Sequence, residues 1–194
     1  MKDLIFFSHN QKKISEVQKI FISNKIKIKN LNSFKKLEEP VENGNNFFDN
    51  AKIKSKYGFE KLNLPCFADD SGFCVEALNN DPGVKSKRFF DRFSSKKAAF
   101  NHIISNVKKK KNTKAYFVTV ISLTLRNNHH ISFMGKISGQ VSLEPKGGFG
   151  FGYDPIFIPN NYNKTFAEMK IHEKNKISHR KIAIMKLKSF LFRN

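Results

Sequence analysis

The pattern of hydrophobic and polar positions predicts a strand followed directly by a helix at the start of the chain. Residues 3–8, DLIFFS, form a short apolar run that is typical of a buried strand. Apolar residues then recur at helical spacing, at Ile14, Val17, Ile20 and Phe21. Ser8 and Asn10 lie between the two patterns, and either side chain can cap the helix.

Further elements are predicted before the middle of the chain. Residues 25–30, KIKIKN, alternate as a strand does, and residues 31–43 are polar with a proline, as in a loop. Residues 46–59 suit a helix, and residues 64–70, LPCFADD, predict a buried strand that ends in two acids. The next segment, GFCVEAL, either stays extended or turns into a short helix before a turn at Asp81-Pro82-Gly83.

The second half of the chain mixes the same kinds of element. A helix is predicted from Ser94 or Ser95 to the lysines at 108–111. Two strands follow at 114–125 and 129–145, joined by a hairpin turn at 126–129. A glycine-rich aromatic loop is predicted at 147–159, and a closing amphipathic helix at 177–191. Because strands and helices alternate without a linker or repeat, we expect one α/β domain over residues 1–194 with a mixed sheet.

Composition and cysteine usage favour a globular cytoplasmic protein. Hydrophobic residues make up 39% of the chain and charged residues 27%, which is within the range of folded domains. The apolar run in the first ten residues is too short for a secretory signal, and residues 115–125 are too short to span a membrane. Cys66 and Cys74 have no partner histidines, so we expect buried free thiols in a reducing compartment and no membrane association.

The net charge of +20 changes this picture less than its size suggests. Clustered basic charge is typical of nucleic-acid-binding modules. The chain has 31 Lys and only 5 Arg, however, whereas such modules rely on Arg for bidentate contacts. Lys, Asn, Ile and Phe are abundant together, as expected from drift in an A+T-rich genome. Nucleic-acid binding is therefore not expected, and a basic binding module is kept as the alternative class.

The acidic residues are concentrated in one part of the chain. Eight of the 16 lie between Glu38 and Glu76. Asp69 and Asp70 are adjacent at a predicted strand end, and Glu42 is available from the preceding loop. Proteins hold Mg²⁺ with one or two carboxylates, together with substrate phosphates and water. These acids predict a magnesium site, with a solvated acidic turn as the alternative.

Three other segments are candidates for nucleotide contacts. The strand-to-helix segment at 8–13, SHNQKK, offers backbone N–H groups and a positive helix end to a phosphate, or simply reflects a lysine-rich chain. The segment at 147–155, GGFGFGYDP, suits a slot for a planar base, or a structural turn. A polar cluster near the last helix suits phosphate or a base edge, or lies on the surface; it consists of Lys174, His179 and Arg180.

Seven segments in order along the chain resemble the noncanonical purine nucleoside triphosphate pyrophosphatases, also called inosine/xanthosine triphosphate pyrophosphatases. They are SHNxxKxxE, ENGxxFxxNAxxK, ADDSGFxVxAL, DPGVxSxRF, GFGYDPIF, TFAEM and EKNxISHR. Each motif alone is weak, but all seven in this order are very specific. The resemblance extends from the first strand to the final helix.

The resemblance implies Mg²⁺-dependent hydrolysis of ITP, dITP or XTP to the monophosphate and pyrophosphate, which removes deaminated purines from the nucleotide pool. It implies an elongated α/β fold with two lobes and a central substrate cleft, usually as a homodimer. Asp70 would accept the proton of the attacking water with Asp69 in support, and Glu42 and Asp70 would hold the metal. The implied substrate-binding residues are Ser8, His9, Asn10, Gln11, Lys12, Lys13, Lys54, Ser71, Phe151, Gly152, Tyr153, Asp154, Lys174, His179 and Arg180.

The chain departs from the family pattern at a few positions. His9 stands where the family usually has Gly, and Ser55 replaces a common Ala. Lys85 and Lys87 stand where Tyr and Ala are frequent. None of these changes removes a proposed catalytic carboxylate. The nearest enzymatic rival is a Maf-like pyrophosphatase, which would prefer other nucleotides such as dTTP or UTP.

Overall fold

One mixed sheet of six strands organises the residues that the structure describes. The computed structural model describes residues 3–21, 26–34, 37–126 and 129–193. The strands are β1 Asp3–Phe6, β2 Lys27–Asn30, β3 Cys66–Val75, β4 Lys114–Arg126, β5 His129–Val141 and β6 Phe157–Pro159. Their order in the sheet is β2-β1-β3-β4-β5-β6. β1 is parallel to both β2 and β3, whereas β5 and β6 are antiparallel, so the predicted mixed α/β sheet is confirmed.

Six α-helices accompany the sheet within the described residues. They are α1 Gln11–Phe21, α2 Phe47–Leu62, α3 Ser86–Phe90, α4 Lys96–Lys110, α5 Ile171–Ile177 and α6 His179–Arg193. Asn46 caps α2 and Ser95 caps α4, each through a side-chain oxygen that accepts a backbone N–H from the first turn. None of the helices described is long and apolar enough to cross a membrane.

Two sequence-based boundaries were wrong, and one lies outside the described residues. β3 does not end at the two acids but continues to Val75, where Phe73 and Val75 are as buried as the residues before the acids. The segment after the acids thus first stays extended and then forms a short 3-10 helix at Glu76–Leu78, so both of its predicted alternatives hold in part. The predicted loop at 147–159 contains a short strand, β6, that pairs with the end of β5. The predicted hairpin turn includes residues 127 and 128, which are not among those described.

The chain divides into two compact units. The first contains the described residues up to Asp70, residues 119–135 and those from Ala183 onward. The second contains residues 71–118 and 136–182. That residues 1–194 act as one domain stays a prediction.

The core of the first unit forms where α1 and α6 pack with β1, β3 and β4. α1 contributes Ile14, Val17 and Phe21, and α6 contributes Ala183, Ile184 and Leu187. Phe6 of β1 stacks on Phe67 of β3, with ring centroids 4.9 Å apart. Burial of each such side chain contributes roughly 1.5–3 kcal/mol, so the carboxyl end of β1 is firmly held.

The core of the second unit is built largely from phenylalanine and tyrosine rings. Phe73 is central, with its ring centroid 4.9 Å from that of Phe117 and 5.0 Å from that of Tyr153. Ile103 and Val107 of α4 join the same cluster. The 21 Phe and absence of Trp in the sequence thus correspond to a core of stacked and edge-on benzene rings.

Candidate active site

Asp69 and Asp70 lie on β3 beyond the carboxyl end of its parallel neighbour β1. The last paired residues of the two strands are Phe6 and Phe67, so the acids extend past the strand beside them. Parallel sheets commonly bind ligands outside the carboxyl ends of their strands. Both side chains are nevertheless buried, with exposed fractions of 3% and 5%. The acids are therefore a buried part of the first unit and not a solvated turn.

Two lysines approach these acids from α1 and α2. Lys13 Nζ lies 2.9 Å from Asp69 Oδ2. Lys54 Nζ donates to Glu42 Oε1 at 2.7 Å and to the backbone carbonyl of Asp69 at 2.6 Å. The structure thus brings together, in one unit, the three predicted carboxylates of Glu42, Asp69 and Asp70 and two of the predicted lysines.

Asn50 completes the cluster, and sequence reasoning did not single it out. Its Nδ2 donates to Asp70 Oδ2 at 3.1 Å, and its Oδ1 accepts the backbone N–H of Gly44 at 2.8 Å. Asn50 is fully buried and lies one helical turn before Lys54. The NAxxK spacing carried the signal, because residues four apart share one face of a helix.

Burial and local charge set the protonation of this cluster. Burial raises the pKa of Asp70 to about 6; the Lys54 ammonium opposes the rise and the Glu42 carboxylate adds to it. Burial acts to lower the pKa of Lys54, but the carboxylates of Asp69, Glu42 and Asp70 outweigh it, so the net shift is upward. Lys54 is therefore a cation at neutral pH, and the cluster has a surplus of carboxylate.

The donor set fits a hard divalent cation held partly by its substrate. Three carboxylates lie beside two ammonium groups, and burial together with the Glu42 carboxylate raises the pKa of Asp70. In the part of the chain that the structure describes, no three His, Cys, Asp or Glu side chains are placed to hold a metal together. Mg²⁺ needs only one or two carboxylates when phosphates and water complete its shell. Glu42 and Asp70 are the carboxylates that would hold such an ion.

The predicted phosphate segment at residues 8–13 is an ordered helix start. Asn10 caps α1, because its Oδ1 accepts the backbone N–H groups of Lys12 at 3.1 Å and Lys13 at 3.2 Å. Ser8 Oγ accepts the backbone N–H of Asn10 at 3.2 Å. Gln11 begins the helix, and its Oε1 accepts from Asn32 Nδ2 at 3.2 Å. Of the two candidate caps, the structure selects Asn10.

His9 joins this segment to the loop that leads to Glu42. Its backbone N–H donates to Glu39 Oε1 at 2.7 Å. Its ring Nε2 lies 2.8 Å from the carbonyl oxygen of Leu37, to which it donates in the Nε2–H tautomer. Where the family usually has Gly, the imidazole therefore ties the loop after β1 to the loop that carries a predicted metal ligand.

In the second unit, Asp154 closes the glycine-aromatic loop onto Lys174. Asp154 Oδ2 accepts from Lys174 Nζ at 2.6 Å and from the backbone N–H of Phe151 at 2.7 Å. Gly150 has φ +77°, and a Cβ there would collide with the same carboxylate. Lys174 Nζ lies 4.7 Å from the ring centroid of Phe151, at cation–π distance.

Tyr153 belongs to the core of this unit. Its ring stacks between Phe73 and Phe90, with centroid distances of 5.0 and 4.5 Å. Its hydroxyl donates to the carbonyl oxygen of Ser86 at 2.8 Å, and burial raises the pKa of the phenol. Gly152, at φ +62°, lets the backbone turn between Phe151 and this anchor.

The polar cluster near the last helix is buried, so its surface alternative was wrong. Lys174, His179 and Arg180 are each 4% exposed or less. The His179 ring stacks on Phe117 at 4.7 Å with an interplanar angle of 8°. Arg180 Nη2 donates to Ser71 Oγ at 3.3 Å, and its Cζ lies 5.8 Å from the Phe151 centroid. Cations and an aromatic ring therefore meet in the second unit.

Comparison with known proteins places these features in a family. A sequence model of the Ham1 family matches residues 4–190. A dITP/XTP pyrophosphatase of Borreliella burgdorferi is 41% identical, over 100% of this chain and 98% of that protein. One of Porphyromonas gingivalis is 38% identical, over 98% of each chain.

Solved structures agree in fold along the whole chain. A HAM1 protein from Coxiella burnetii superposes with a TM-score of 0.91 at 32% identity and covers 100% of both chains. The Ham1 protein of Staphylococcus aureus gives a TM-score of 0.86 at 34% identity, over 98% of each chain. The six-stranded mixed sheet with its flanking helices is thus shared with these proteins.

Proposed function

The chain belongs to the Ham1 family, and on that premise we propose that it is a nucleoside triphosphate pyrophosphatase for deaminated purines. Its substrates are dITP, ITP and XTP, and its products are the monophosphate and pyrophosphate. The observation that carries this proposal is the buried pair Asp69 and Asp70 with the half-buried Glu42, beside Lys13 and Lys54. Such a group combines cation ligands, a proton acceptor and phosphate-binding cations.

Asp70 accepts the proton of the attacking water. A general base is most efficient when its pKa lies near the operating pH, and burial raises the pKa of Asp70 to about 6. The water oxygen bonds to the α-phosphorus, the bond to the bridging oxygen of the pyrophosphate breaks, and the water proton passes to Asp70. Asp69 supports the same cluster through its ion pair with Lys13.

The lysines and the start of α1 bind the phosphates. Lys13 and Lys54 offset phosphate charge, and the segment at 8–13 presents the positive end of a helix. Glu42 and Asp70 would hold Mg²⁺, which polarises the phosphorus when bound. Hard carboxylate oxygens and the surplus of negative charge support this assignment.

The second unit supplies the contacts that select the base. Phe151 offers a ring for stacking, with the cations of Lys174 and Arg180 beside it. Nitrogen donors suit the 6-oxo group of a deaminated purine, whereas the 6-amino group of adenine would leave them unpaired. Asp154 and Gly152 shape the loop that carries Phe151.

We also propose that the protein acts as a cytoplasmic homodimer. Both Cys66 and Cys74 are buried free thiols, which supports a reducing compartment. Static light scattering on the purified chain tests the dimer, with a single species of about twice the 22.4 kDa chain mass as the expected result.

A substrate panel tests the activity. Pyrophosphate release is measured with and without Mg²⁺ on dITP, ITP, XTP, ATP, GTP, dTTP and UTP. We expect fast, Mg²⁺-dependent release from the deaminated purines and little from the others. Preference for dTTP or UTP would favour the Maf-like alternative. No turnover of any triphosphate, together with tight salt-sensitive DNA binding, would support the basic binding module instead.

A further inference from the structure

Two polar side chains on α2 each join the same pair of segments. Asn50 links Gly44 to Asp70, and Lys54 links Glu42 to the backbone of Asp69. The two residues lie one helical turn apart, so they act side by side on one face of the helix. One segment carries Glu42 and the other carries Asp70, the two carboxylates assigned to the metal.

The two links differ in what they supply. Lys54 brings a positive charge to the cluster, whereas the Asn50 amide is neutral and contributes only directed hydrogen bonds. Rotation of an Asp carboxylate about its last bond is soft, so such a group needs a fixed partner to hold its direction. Nδ2 of Asn50, 3.1 Å from Asp70 Oδ2, is such a partner.

The surroundings hold Asn50 itself in place. It is fully buried, and its Oδ1 accepts the Gly44 N–H at 2.8 Å. Gly44 approaches so closely that a Cβ would lie 2.7 Å from Asn50 Oδ1 and 2.6 Å from the Cβ of Asp49. A buried amide that lost either partner would be left unsatisfied, which is costly. The amide therefore has one well-defined orientation.

We propose that Asn50 is a positioning residue that fixes the Asp70 carboxylate and the Glu42 loop relative to each other before a divalent cation binds. This inference rests on the proposed function, because that function assigns the two carboxylates to the cation. Asn50 holds Gly44 and Asp70 through its amide, so it would act on the cation through these groups, as outer-shell residues of metal sites do.

Binding of Mn²⁺ tests the proposal without any turnover. Mn²⁺ suits the same carboxylate ligands as Mg²⁺, and free Mn²⁺ is counted by electron paramagnetic resonance during titration of the full chain. We expect Asn50→Ala to raise the Mn²⁺ dissociation constant about tenfold, within the usual range for outer-shell changes. Ser55→Ala is the matched control, since Ser55 is equally buried on α2 but bonds to Ser122 and Thr124.

A second variant covers the case in which Asn50→Ala fails to fold. Gly44→Ala keeps the Asn50 amide but pushes a Cβ against its Oδ1. We expect it also to weaken Mn²⁺ binding severalfold, with circular dichroism confirming the folded fraction. In turnover, kcat per folded molecule should fall about tenfold in Asn50→Ala while KM changes less than about threefold.

The outcomes separate this inference from the proposed activity. Mn²⁺ dissociation constants within twofold of the parent in both variants would overturn it, as would an equal effect of Ser55→Ala. Failure of the parent to bind Mn²⁺ at all would also overturn it. If the parent binds Mn²⁺ but hydrolyses no triphosphate, the proposed function fails while the binding comparison still decides the role of Asn50.

Discussion

Both units bury aspartate–lysine ion pairs, but the charge balance differs between them. In the first unit, the carboxylates of Glu42, Asp69 and Asp70 lie beside the ammonium groups of Lys13 and Lys54. In the second unit, Asp154 pairs with Lys174 at 2.6 Å and also accepts the backbone N–H of Phe151. The first unit therefore has three carboxylates beside two ammonium groups, whereas the second unit pairs one carboxylate with one ammonium group.

The same side-chain types, aspartate and lysine, therefore suit different roles in the two units. Burial raises the pKa of Asp70 to about 6 and the Glu42 carboxylate adds to the rise, so a bound cation or proton would offset the cost of the buried charge. A matched buried pair has no such need, and it closes a loop with defined geometry. The first arrangement suits metal binding and proton transfer, and the second suits the shaping of a base site.

Among changes to the carboxylate cluster of the first unit, Asp70→Asn should have the largest effect on activity. The amide can neither accept the water proton nor ligate a cation well, so we expect kcat for dITP to fall roughly 10³-fold. Pyrophosphate release with saturating Mg²⁺ measures this, and circular dichroism checks the fold. Glu60→Gln, a surface change in the same unit, should leave kcat unchanged. A kcat of Asp70→Asn near that of the parent would refute the assignment of Asp70.

Removing one partner of the Asp154–Lys174 pair should mainly lower the free energy of unfolding. Asp154→Ala leaves the buried Lys174 ammonium without its carboxylate, which should cost about 3 kcal/mol of unfolding free energy. Urea unfolding measures the loss. Glu144→Gln removes an exposed partner of Lys146 in the same unit and should change little.

Replacing both Asp154 and Lys174 with neutral side chains separates their effect on stability from their effect on substrate binding. The double variant Asp154→Asn with Lys174→Met should recover much of the lost stability, because no buried charge is left unmatched. Its KM for dITP should stay high, since the ammonium beside Phe151 is gone. If KM recovered together with stability, Lys174 would have no part in substrate binding.

The pH dependence of stability should differ between the parent and Asp70→Asn. The folded-state pKa of Asp70, about 6, lies above the unfolded value of about 3.9. Its contribution is therefore fully present below about pH 4 and is lost as pH rises through about 6. Without divalent metal, Asp70→Asn should gain about 2–3 kcal/mol relative to the parent between pH 4 and pH 8. A difference independent of pH would contradict this.

The smallest expected effect is at the base site. Phe151→Ala should raise KM for ITP about tenfold with little change in kcat, because it removes a stacking surface used in ground and transition states alike. Phe149→Ala is the matched control in the same loop, where the ring is exposed. It should change KM less than about twofold. An unchanged KM in Phe151→Ala would argue against stacking there.

Much of the fold could be predicted from local patterns. The helix from Gln11, the cap at Ser95 and the final helix follow from apolar spacing and short polar side chains, which act within a few residues. The end of β3 could not be predicted, because Asp69 and Asp70 resemble a strand end, while a tertiary ion pair to Asp69 and a hydrogen bond to Asp70 keep them inside. Their burial depends on Lys13 and Asn50, which are distant in sequence.

The sequence by itself determined which chemistry is present. It supplied the adjacent acids, the NAxxK spacing and the motif order, because residue types and short spacings are local properties. The tertiary structure was needed to show that Asn50 joins Gly44 to Asp70, that Tyr153 is a core residue and that His179 is buried against Phe117. Those contacts arise from packing between segments far apart in the chain, and no local pattern encodes them.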